Sequence, residues 1–573
     1  MEYQTTPPLE AGESARAADM AGARAADEGR QVGGAGAVTL GLALSACGGG
    51  GSGSGATSGG GLVTLTPTPT PTPTVAAITD AQASRFLGQA TMGATTADIA
   101  EVKSRGYAGW ITNEFGKARA TSHWDWLVAK GYADPSNINS NAPFDSVMWS
   151  QLIGAGDQLR QRVGMALLEL LVVGFEGVNL SWRPFAMAAY VDVLMDNAFG
   201  NFRTILDKIT TNAAMASFLT FLNNRKANAT TGATPDENYA RELMQLFTIG
   251  LYRLNMDGSR VLSGGQPIET YNSSDVSNLA RVFTGLTVDS SDNSTPDRYR
   301  RPLIVNANWH ETGASTFLGT SVPAGAPGMD AIKIALDAIF AHPNVPPFVS
   351  KQLIQRLVTS NPSPAYVNRV ASKFADNGSG VRGDMQAVIR AILLDDEARA
   401  EPSGTTSGKL REQVMRLTGW ARAFGATSNS GNWSTGDTSN AMTRLSQSMG
   451  RAPSVFNFFR PGYTPQNPAF ANAGLVAPEL QITNEISTVG YVNYMQSVVQ
   501  NSTDLRTSYA ELTEISDPQA LVDRVNLLLA AGQIGAATVA QIKAAVESTT
   551  NATNRIYIAV LLAMASPEYL TAK

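Results

Sequence analysis

Two adjacent side chains with the chemistry needed for catalysis, His310 and Glu311, lie in a predicted loop that follows Trp309 and precedes a short apolar run. An imidazole beside a carboxylate can act as a general base or as a metal ligand, and it can also staple a loop together. Loops often carry functional groups because a rigid scaffold holds them at the surface. The sequence leaves all three roles open for this pair.

A second candidate lies on the helix predicted from Asn238 to Gly250. Its polar residues recur at i, i+3, i+4 and i+7, which is one face of a helix: Asn238, Arg241, Glu242 and Gln245. A buried arginine needs a carboxylate partner, so one interpretation of this stripe is a structural Arg–Glu network. The other interpretation is the wall of a catalytic site in which Arg241 and Glu242 join His310 and Glu311.

Familiar catalytic and metal-binding motifs are absent from the sequence. It contains no GxSxG or HExxH motif, and no glycine-rich phosphate loop outside a low-complexity tail. With 3 histidines and 1 cysteine, the chain excludes an internal disulfide and a cysteine-based zinc site. Cofactor and metal therefore stay unknown. A net charge of −5, without a long Lys/Arg stripe, argues against a nucleic-acid partner.

The single cysteine, Cys47, ends the segment Leu44–Cys47, which has the pattern of a bacterial lipobox. The uncharged run before it, Val32 to Ala46, is shorter than the roughly 20 apolar residues that span a bilayer and fits the core of a secretory signal. Residues 1–46 are therefore predicted to be a signal peptide region, and Cys47 to carry a lipid that anchors the chain to a membrane. A glycine-rich tail with a chance cysteine is the alternative. Acidic residues upstream of the run make Met20 a possible true start.

Residues 47–77 have the composition of a linker. Gly48 to Gly61 is almost entirely Gly and Ser, a flexible coil that spans roughly 20 Å. Thr66 to Thr74 alternates Thr and Pro, which predicts an extended spacer of about 28 Å. We therefore expect an exported lipoprotein, periplasmic or on the cell surface, whose domain stands clear of the lipid. Gly48 next to the cysteine favours the outer membrane where the host has two membranes.

Residues 78–573 predict one large, mainly α domain of many helices with a minor β-hairpin. Thr95 and Asp98 form a helix-capping pattern that is closed by Gly106. Arg162 to Val173 is apolar nearly all round, as expected of a central buried helix. Leu251 to Leu262, with an Asp-Gly pair in its middle, predicts the hairpin. Further helices are predicted at Ile332–Ile339, Met385–Leu393, Ala520–Leu529, Thr538–Val546 and Ile556–Met564.

Seven segments, in order along the chain, resemble the bacterial family known as domain of unknown function 1800. They are Ser84–Gly93, Asp236–Gly250, Ala280–Gly285, Trp309–Glu311 with Thr316–Gly319, His342-Pro343 leading into Phe348–Val358, Pro453–Phe459 and Ser566–Tyr569. The resemblance covers roughly residues 80 to 570 and implies an exported, largely helical protein without an assigned reaction. Many members carry an Asn-His-Phe segment after the long buried helix, where this chain has Gly174–Val178.

Two functions are consistent with these patterns. The first is a non-catalytic cell-envelope protein that binds a glycan or a partner exported protein. Here the resemblance implies a possible partner, because family members are often encoded beside the exported domain of unknown function 1501 family, which resembles sulfatases. The second is a surface-tethered hydrolase of extracellular polymer with a His310/Glu311 and Arg241/Glu242 site. Because no motif requires catalysis, the sequence favours the first function.

Overall fold

A computed structural model describes residues 77–404 and 406–573. All of these residues belong to the unit Val75–Lys573. The predicted lipidation site Cys47, the signal peptide region and nearly all of the linker lie outside the described residues. The predicted mainly α fold is confirmed, since helices dominate and the strands are short.

The helices are, in chain order, α1 (Asp80–Ala90), α2 (Thr96–Gly116), α3 (His123–Ala129), α4 (Pro143–Gly154), α5 (Gln158–Leu170), α6 (Arg183–Asp196), α7 (Phe202–Thr210), α8 (Ala213–Phe218), α9 (Asn238–Glu242), α10 (Ser273–Val282), α11 (Gly328–Ala341), α12 (Val345–Leu357), α13 (Pro364–Ala375), α14 (Met385–Leu393), α15 (Asp396–Arg399), α16 (Gln413–Ala423), α17 (Pro468–Asn472), α18 (Glu485–Val499), α19 (Ala510–Thr513), α20 (Pro518–Ala530), α21 (Ala536–Glu547), α22 (Ala552–Ala565) and α23 (Pro567–Leu570). A π-helix, Leu243–Thr248, continues α9. Short 3₁₀ turns lie at Pro135–Asn137, Phe175–Gly177, Pro296–Tyr299 and Pro478–Ile482.

The strands of the described residues form only two-stranded antiparallel sheets. They are β1 (Leu262–Ser263) with β2 (Gln266–Pro267), β3 (Leu286–Thr287) with β4 (Ile304–Val305), β5 (Ser315–Phe317) with β6 (Thr320–Val322), β7 (Lys409–Leu410) with β10 (Thr571–Ala572), and β8 (Thr427–Ser428) with β9 (Leu505–Arg506). The β7–β10 pair joins the C-terminus to the segment that precedes α16.

The predicted hairpin is present. Leu254 and Arg260 form an antiparallel bridge, and the amide of Gly258 donates to the carbonyl of Asn255 at 2.9 Å. Gly258 has φ 77°, a conformation that glycine adopts without a steric cost. Two further glycines then turn the chain between β1 and β2. The local turn chemistry thus specifies this small meander, as the sequence predicts.

Sequence signals also locate the helix starts. The Thr95 side chain accepts from the amide of Asp98 at 3.0 Å and caps α2 as predicted. The helix does not end at Gly106, however. That glycine has φ 69° and breaks the helical conformation for one residue, after which helical turns resume to Gly116. Gly106 therefore marks a kink within α2 and not the end of the helix.

Helix α5 lies at the centre of the fold, as its apolar pattern predicts. Its residues from Gln161 to Leu170 are all buried. It packs against α1, α2, α4, α6 and α12. Because a helix surrounded in this way has no solvent face, the two charged side chains Arg162 and Glu169 on it must find partners inside the protein.

The helix predicted from Asn238 to Gly250 differs from expectation in its second half. After Glu242 the backbone becomes π-helical, and the hydroxyl of Thr248 donates to the carbonyl of Leu243. A π-turn contains one more residue than an α-turn, so side chains beyond Leu243 rotate away from the predicted face. Gln245 therefore does not continue the polar stripe of Arg241 and Glu242.

Within the described part of the chain, no helix is long and apolar enough to cross a membrane.

The glycine that follows α5 gives a test of the packing. A Cβ at Gly174 would lie 2.1 Å from the carbonyl oxygen of Ala452, a backbone atom that has little room to move. A Cβ at Gly88, inside α1, would meet nothing within 4 Å. We expect Gly174→Ala to lower the free energy of unfolding by about 1–3 kcal/mol through overpacking. The matched Gly88→Ala should raise it by about 0.5–1 kcal/mol through helix propensity. Urea unfolding of both variants measures the difference, and equal effects would contradict the close approach at Gly174.

Candidate binding groove and the buried charge cluster

A large open cavity, the main groove, has a volume of about 1400 Å³. One wall is α12, and another is the π-helix with the hairpin segment that starts at Leu251. The third consists of the irregular segments 455–464 and 474–481. Typical small-molecule sites measure about 300–1,000 Å³, so this volume accommodates a larger or extended ligand.

Amide side chains hold the irregular wall in place. Gln355 of α12 donates from Nε2 to the carbonyls of Ser360 at 3.0 Å and Pro461 at 3.2 Å. Asn361 exchanges two hydrogen bonds with the backbone of Val476, both 2.9 Å long. Segments without regular structure are thereby tied to the end of a helix, which gives the wall a defined shape.

Aromatic and cationic side chains alternate along the groove. The guanidinium of Arg260 packs on the ring of Tyr252 with 4.7 Å to the ring centroid, and Arg460 packs on Phe456 at 4.6 Å. Phe348 and Tyr463 add two more rings, and Gln245, Gln352 and Gln481 add amides. The lining therefore offers flat apolar faces next to hydrogen-bonding groups.

The floor of the groove is part of a buried charge cluster of six side chains, each at most 7% exposed: Arg162, Glu169, Arg356, Lys409, Glu412 and Glu479. They come from α5, α12, β7, the residue before α16 and the 3₁₀ turn at Pro478–Ile482. Glu169 and Arg356 also line the groove. Charges this deep are tolerated only when they compensate one another.

Lys409 is the centre of the cluster. Its ammonium lies 3.1 Å from Glu412 and 3.0 Å from Glu479, and it donates to the carbonyl of Arg356 at 2.8 Å. Glu412 also accepts from Gln447 at 3.0 Å. These contacts use all three N–H donors of Lys409, and both carboxylate oxygens of Glu412 accept hydrogen bonds.

The two carboxyl groups of Glu169 and Glu412 hold their protons differently. Burial raises the pKa of Glu169 well above its usual range, and the neighbouring carboxylate of Glu412 raises it further. Burial opposes ionisation of Glu412 as well, but Lys409 and a hydrogen bond from Glu169 outweigh it and lower the pKa of Glu412. Burial thus favours the neutral form of Glu169, and Lys409 favours the ionised form of Glu412. Burial also raises the pKa of Glu479, and the charge of Lys409 partly offsets this rise.

The residues predicted from sequence lie elsewhere. His310 is 3% exposed, and its Nδ1 is 2.9 Å from the carbonyl of Thr284. The amide of Glu311 donates to the hydroxyl of Thr284 at 2.8 Å, and its carboxylate accepts from Gly313 at 2.9 Å. These are the contacts of a loop staple, which was one of the three interpretations. Neither residue lines the main groove.

Arg241 and Glu242 do not pair with each other. Arg241, with 45% of its side chain exposed, pairs with Glu237 at 3.0 Å. Glu242 is 7% exposed, one of its oxygens accepts no hydrogen bond, and burial raises its pKa to about 7. No hydrogen bond or ion pair in the described chain joins these residues to His310 or Glu311. A shared catalytic site for the four residues stays a prediction. Their neighbour Gln245 does reach the groove, where it accepts from the hydroxyl of Tyr271 at 3.1 Å.

Sequence reasoning missed the residues of the cluster. The available signal was the pair of charges in an otherwise apolar helix, Arg162 and Glu169, since such charges are almost never buried without partners.

Among the described residues, no group of three or more His, Cys, Asp or Glu side chains is arranged to hold a metal ion.

Comparison with known proteins places the chain in one family. Residues 85–571 match the family described as "Protein of unknown function (DUF1800)". No curated protein and no solved structure matches the chain.

The proton assignment in the cluster predicts opposite effects of two isosteric substitutions. Glu169 has a raised pKa, so its contribution to stability is complete below its unfolded value of 4.5 and is lost as the pH rises towards the folded value. Above pH 4.5, Glu169→Gln should therefore raise the free energy of unfolding relative to wild type, by up to about 1.4 kcal/mol per pH unit, until the pH reaches the folded pKa of Glu169. Glu412 has a lowered pKa, so its contribution is present above 4.5 and is lost in acid.

Glu412→Gln should therefore cost about 3–5 kcal/mol at pH 7, because it leaves Lys409 short of a buried counter-charge. Urea unfolding of both variants between pH 4 and pH 8 measures the two effects. The assignment of the proton is reversed if Glu412→Gln is tolerated and Glu169→Gln unfolds the chain.

Proposed function

We propose that this chain, which belongs to the DUF1800 family of proteins of unknown function, is a lipid-anchored cell-envelope protein that binds a glycan. The observation that carries the proposal is the main groove, with its volume of about 1400 Å³. A ligand space of this size suits several sugar residues of an extended chain better than a small metabolite.

The lining supports a carbohydrate ligand. Sugar rings present flat C–H faces that pack on aromatic side chains, and their hydroxyl groups exchange hydrogen bonds with amides. Tyr252, Phe348, Phe456 and Tyr463 supply the aromatic faces. Gln245, Gln352 and Gln481 supply donors and acceptors beside them. Because the irregular wall is already tied to α12, binding does not have to order it, which lowers the entropic cost.

The proposed location of the protein rests on its N-terminal sequence. The only cysteine ends a lipobox-like segment, and a Gly/Ser and Thr-Pro spacer follows it. A groove on a tethered domain can reach polymer that lies some distance from the membrane. We propose the outer membrane or the cell surface as the location, in line with Gly48.

A partner exported protein, of the domain of unknown function 1501 family, is the second candidate ligand. It is favoured by an exposed apolar patch of Met442, Ile486 and Val489, which are 70%, 58% and 59% exposed. A Cβ at Gly490 would lie 2.2 Å from the carbonyl of Ala441, so the loop with Met442 lies close to α18. Grouped exposed side chains of this kind are typical of interaction surfaces.

Truncation of a groove aromatic tests the glycan function. The purified acylated chain, in detergent, is applied to an array of neutral and acidic oligosaccharides. Phe456→Ala should weaken binding to the glycans that wild type binds by roughly tenfold, since a sugar–aromatic contact is lost. Ile486→Ala, which truncates another exposed apolar side chain outside the groove, should leave glycan binding unchanged. Absence of binding to every glycan of the array overturns the proposed function.

Replacement of the cysteine tests the anchor. Cys47→Ala should move the protein from the membrane fraction to the soluble exported fraction, because the variant has no thiol to acylate. Mass spectrometry of the wild-type membrane fraction should show a chain that begins with acylated Cys47. An unmodified Cys47 still joined to Ala46 in that fraction would contradict the anchor and leave the glycan function standing.

A further inference from the structure

We infer that the glycan bound in the main groove is anionic and that Arg260, Lys351 and Arg460 contact its acidic groups. This inference rests on the proposed glycan-binding function and specifies the class of glycan. Three observations support it: the excess of cations in the lining, the contacts of the carboxyl groups there, and the packing of two arginines on aromatic rings.

The charged lining of the groove is predominantly positive. Four cations line it, namely Arg260, Lys351, Arg356 and Arg460. Arg356 is engaged in the floor, where it donates to the carbonyls of Glu169 and Gln352. The other three are exposed and take part in no ion pair among the described residues. Unpaired cations that face one cavity are the expected counterpart of an anionic ligand.

Fewer carboxyl groups than cations line the groove, two against four. Glu169 is buried in the floor, where its carboxyl group lies 3.8 Å from the guanidinium of Arg356. Glu397 is the other acidic residue of the lining, and both of its oxygens accept from Ser363, from the amide at 3.0 Å and from the hydroxyl. The groove is therefore positive although the whole chain has a net charge of −5.

Lys351 and Arg260 lie close enough to repel each other. The protein around Lys351 partly desolvates its ammonium although the side chain is solvent-accessible, which lowers its pKa, and the charge of Arg260 lowers it further. Asp257 acts in the opposite direction, but its carboxylate is held by the amide and hydroxyl of Ser259. Asp257 thus offsets the repulsion only in part, and two adjacent cations that form no ion pair within the described residues favour the binding of an acidic group between them.

Two of the guanidinium groups are pre-positioned by aromatic rings. Arg260 packs on Tyr252 and Arg460 on Phe456, each with less than 5 Å to the ring centroid. Stacking restrains the guanidinium plane and leaves its N–H edge available, and that edge matches the two oxygens of a carboxylate. Sugar stacking and acid recognition therefore come from the same pairs of side chains.

The test uses glycans that differ only in charge. Oligogalacturonate, alginate and hyaluronan oligosaccharides are each paired on the array with their carboxyl-reduced, neutral counterparts, and the full acylated chain is applied. We expect the acidic member of a pair to bind at least tenfold more tightly than the neutral member. Binding should also weaken as the salt concentration rises, because exposed charges are screened.

Two lysine substitutions, one inside the groove and one outside it, test whether the groove recognises the acidic groups of the glycan. Lys351→Met should weaken binding of the acidic glycans by roughly tenfold and leave binding of neutral ones unchanged. Lys226→Met removes an exposed lysine outside the groove and serves as the control. Both variants alter surface side chains, and a thermal melt verifies that they fold.

The outcomes separate the inference from the function on which it rests. Equal binding of acidic and neutral members, or equal effects of the two lysine variants, overturns the anionic ligand while glycan binding stands. No binding to any glycan, acidic or neutral, overturns both.

Discussion

The ammonium group of Lys409 is the constraint on which the interior depends. It is buried with Glu412 and Glu479 on either side and donates to the backbone of Arg356. Transfer of one such charge out of water costs several kcal/mol, and only nearby opposite charges and complete hydrogen bonding offset it. Glu479 and Arg356 lie on segments far from Lys409 in the chain, so these segments cannot dock with the buried charge unpaired. The cluster therefore specifies one arrangement of helices that apolar packing alone would leave open.

The same cluster connects the centre of the fold to the ligand space. Arg356 of α12 donates to the carbonyl of Glu169 at 2.9 Å, close to the end of α5. Since both residues also line the main groove, the helix that lies deepest in the protein forms part of its floor. A floor held by buried charges is rigid, and rigidity favours binding because little conformational entropy is lost. The proposed ligand site and the charged interior thus share Glu169 and Arg356.

The sequence was informative wherever a structure depends on neighbours along the chain. Helix α14 runs from Met385 to Leu393 as predicted, because its apolar spacing reports a buried face whatever it packs against. The turn at Gly258 and the burial of α5 were predictable for the same reason. The groove was not, because its walls meet from separate segments whose contacts, such as Gln355 to Pro461, are not encoded in local periodicity. The sequence analysis also missed the charge cluster, because the partners of Arg162 and Glu169 come from distant segments that only the fold brings together.

The π-helix shows how a local departure from periodicity shapes the site. An α-helix through Leu243–Thr248 would keep Gln245 on the face of Arg241 and Glu242, as predicted from the sequence. The π-turn begins only after these two residues: Arg241 pairs with Glu237 at the surface and Glu242 is buried, whereas Gln245 within the π-turn lines the groove. Gly250 then ends the segment with φ 77°, where a Cβ would lie 2.9 Å from the ring of Phe348. π-Helical turns are rare, and they occur frequently at functional sites. Here the π-turn lies against the groove and places Gln245 and Leu246 in its wall.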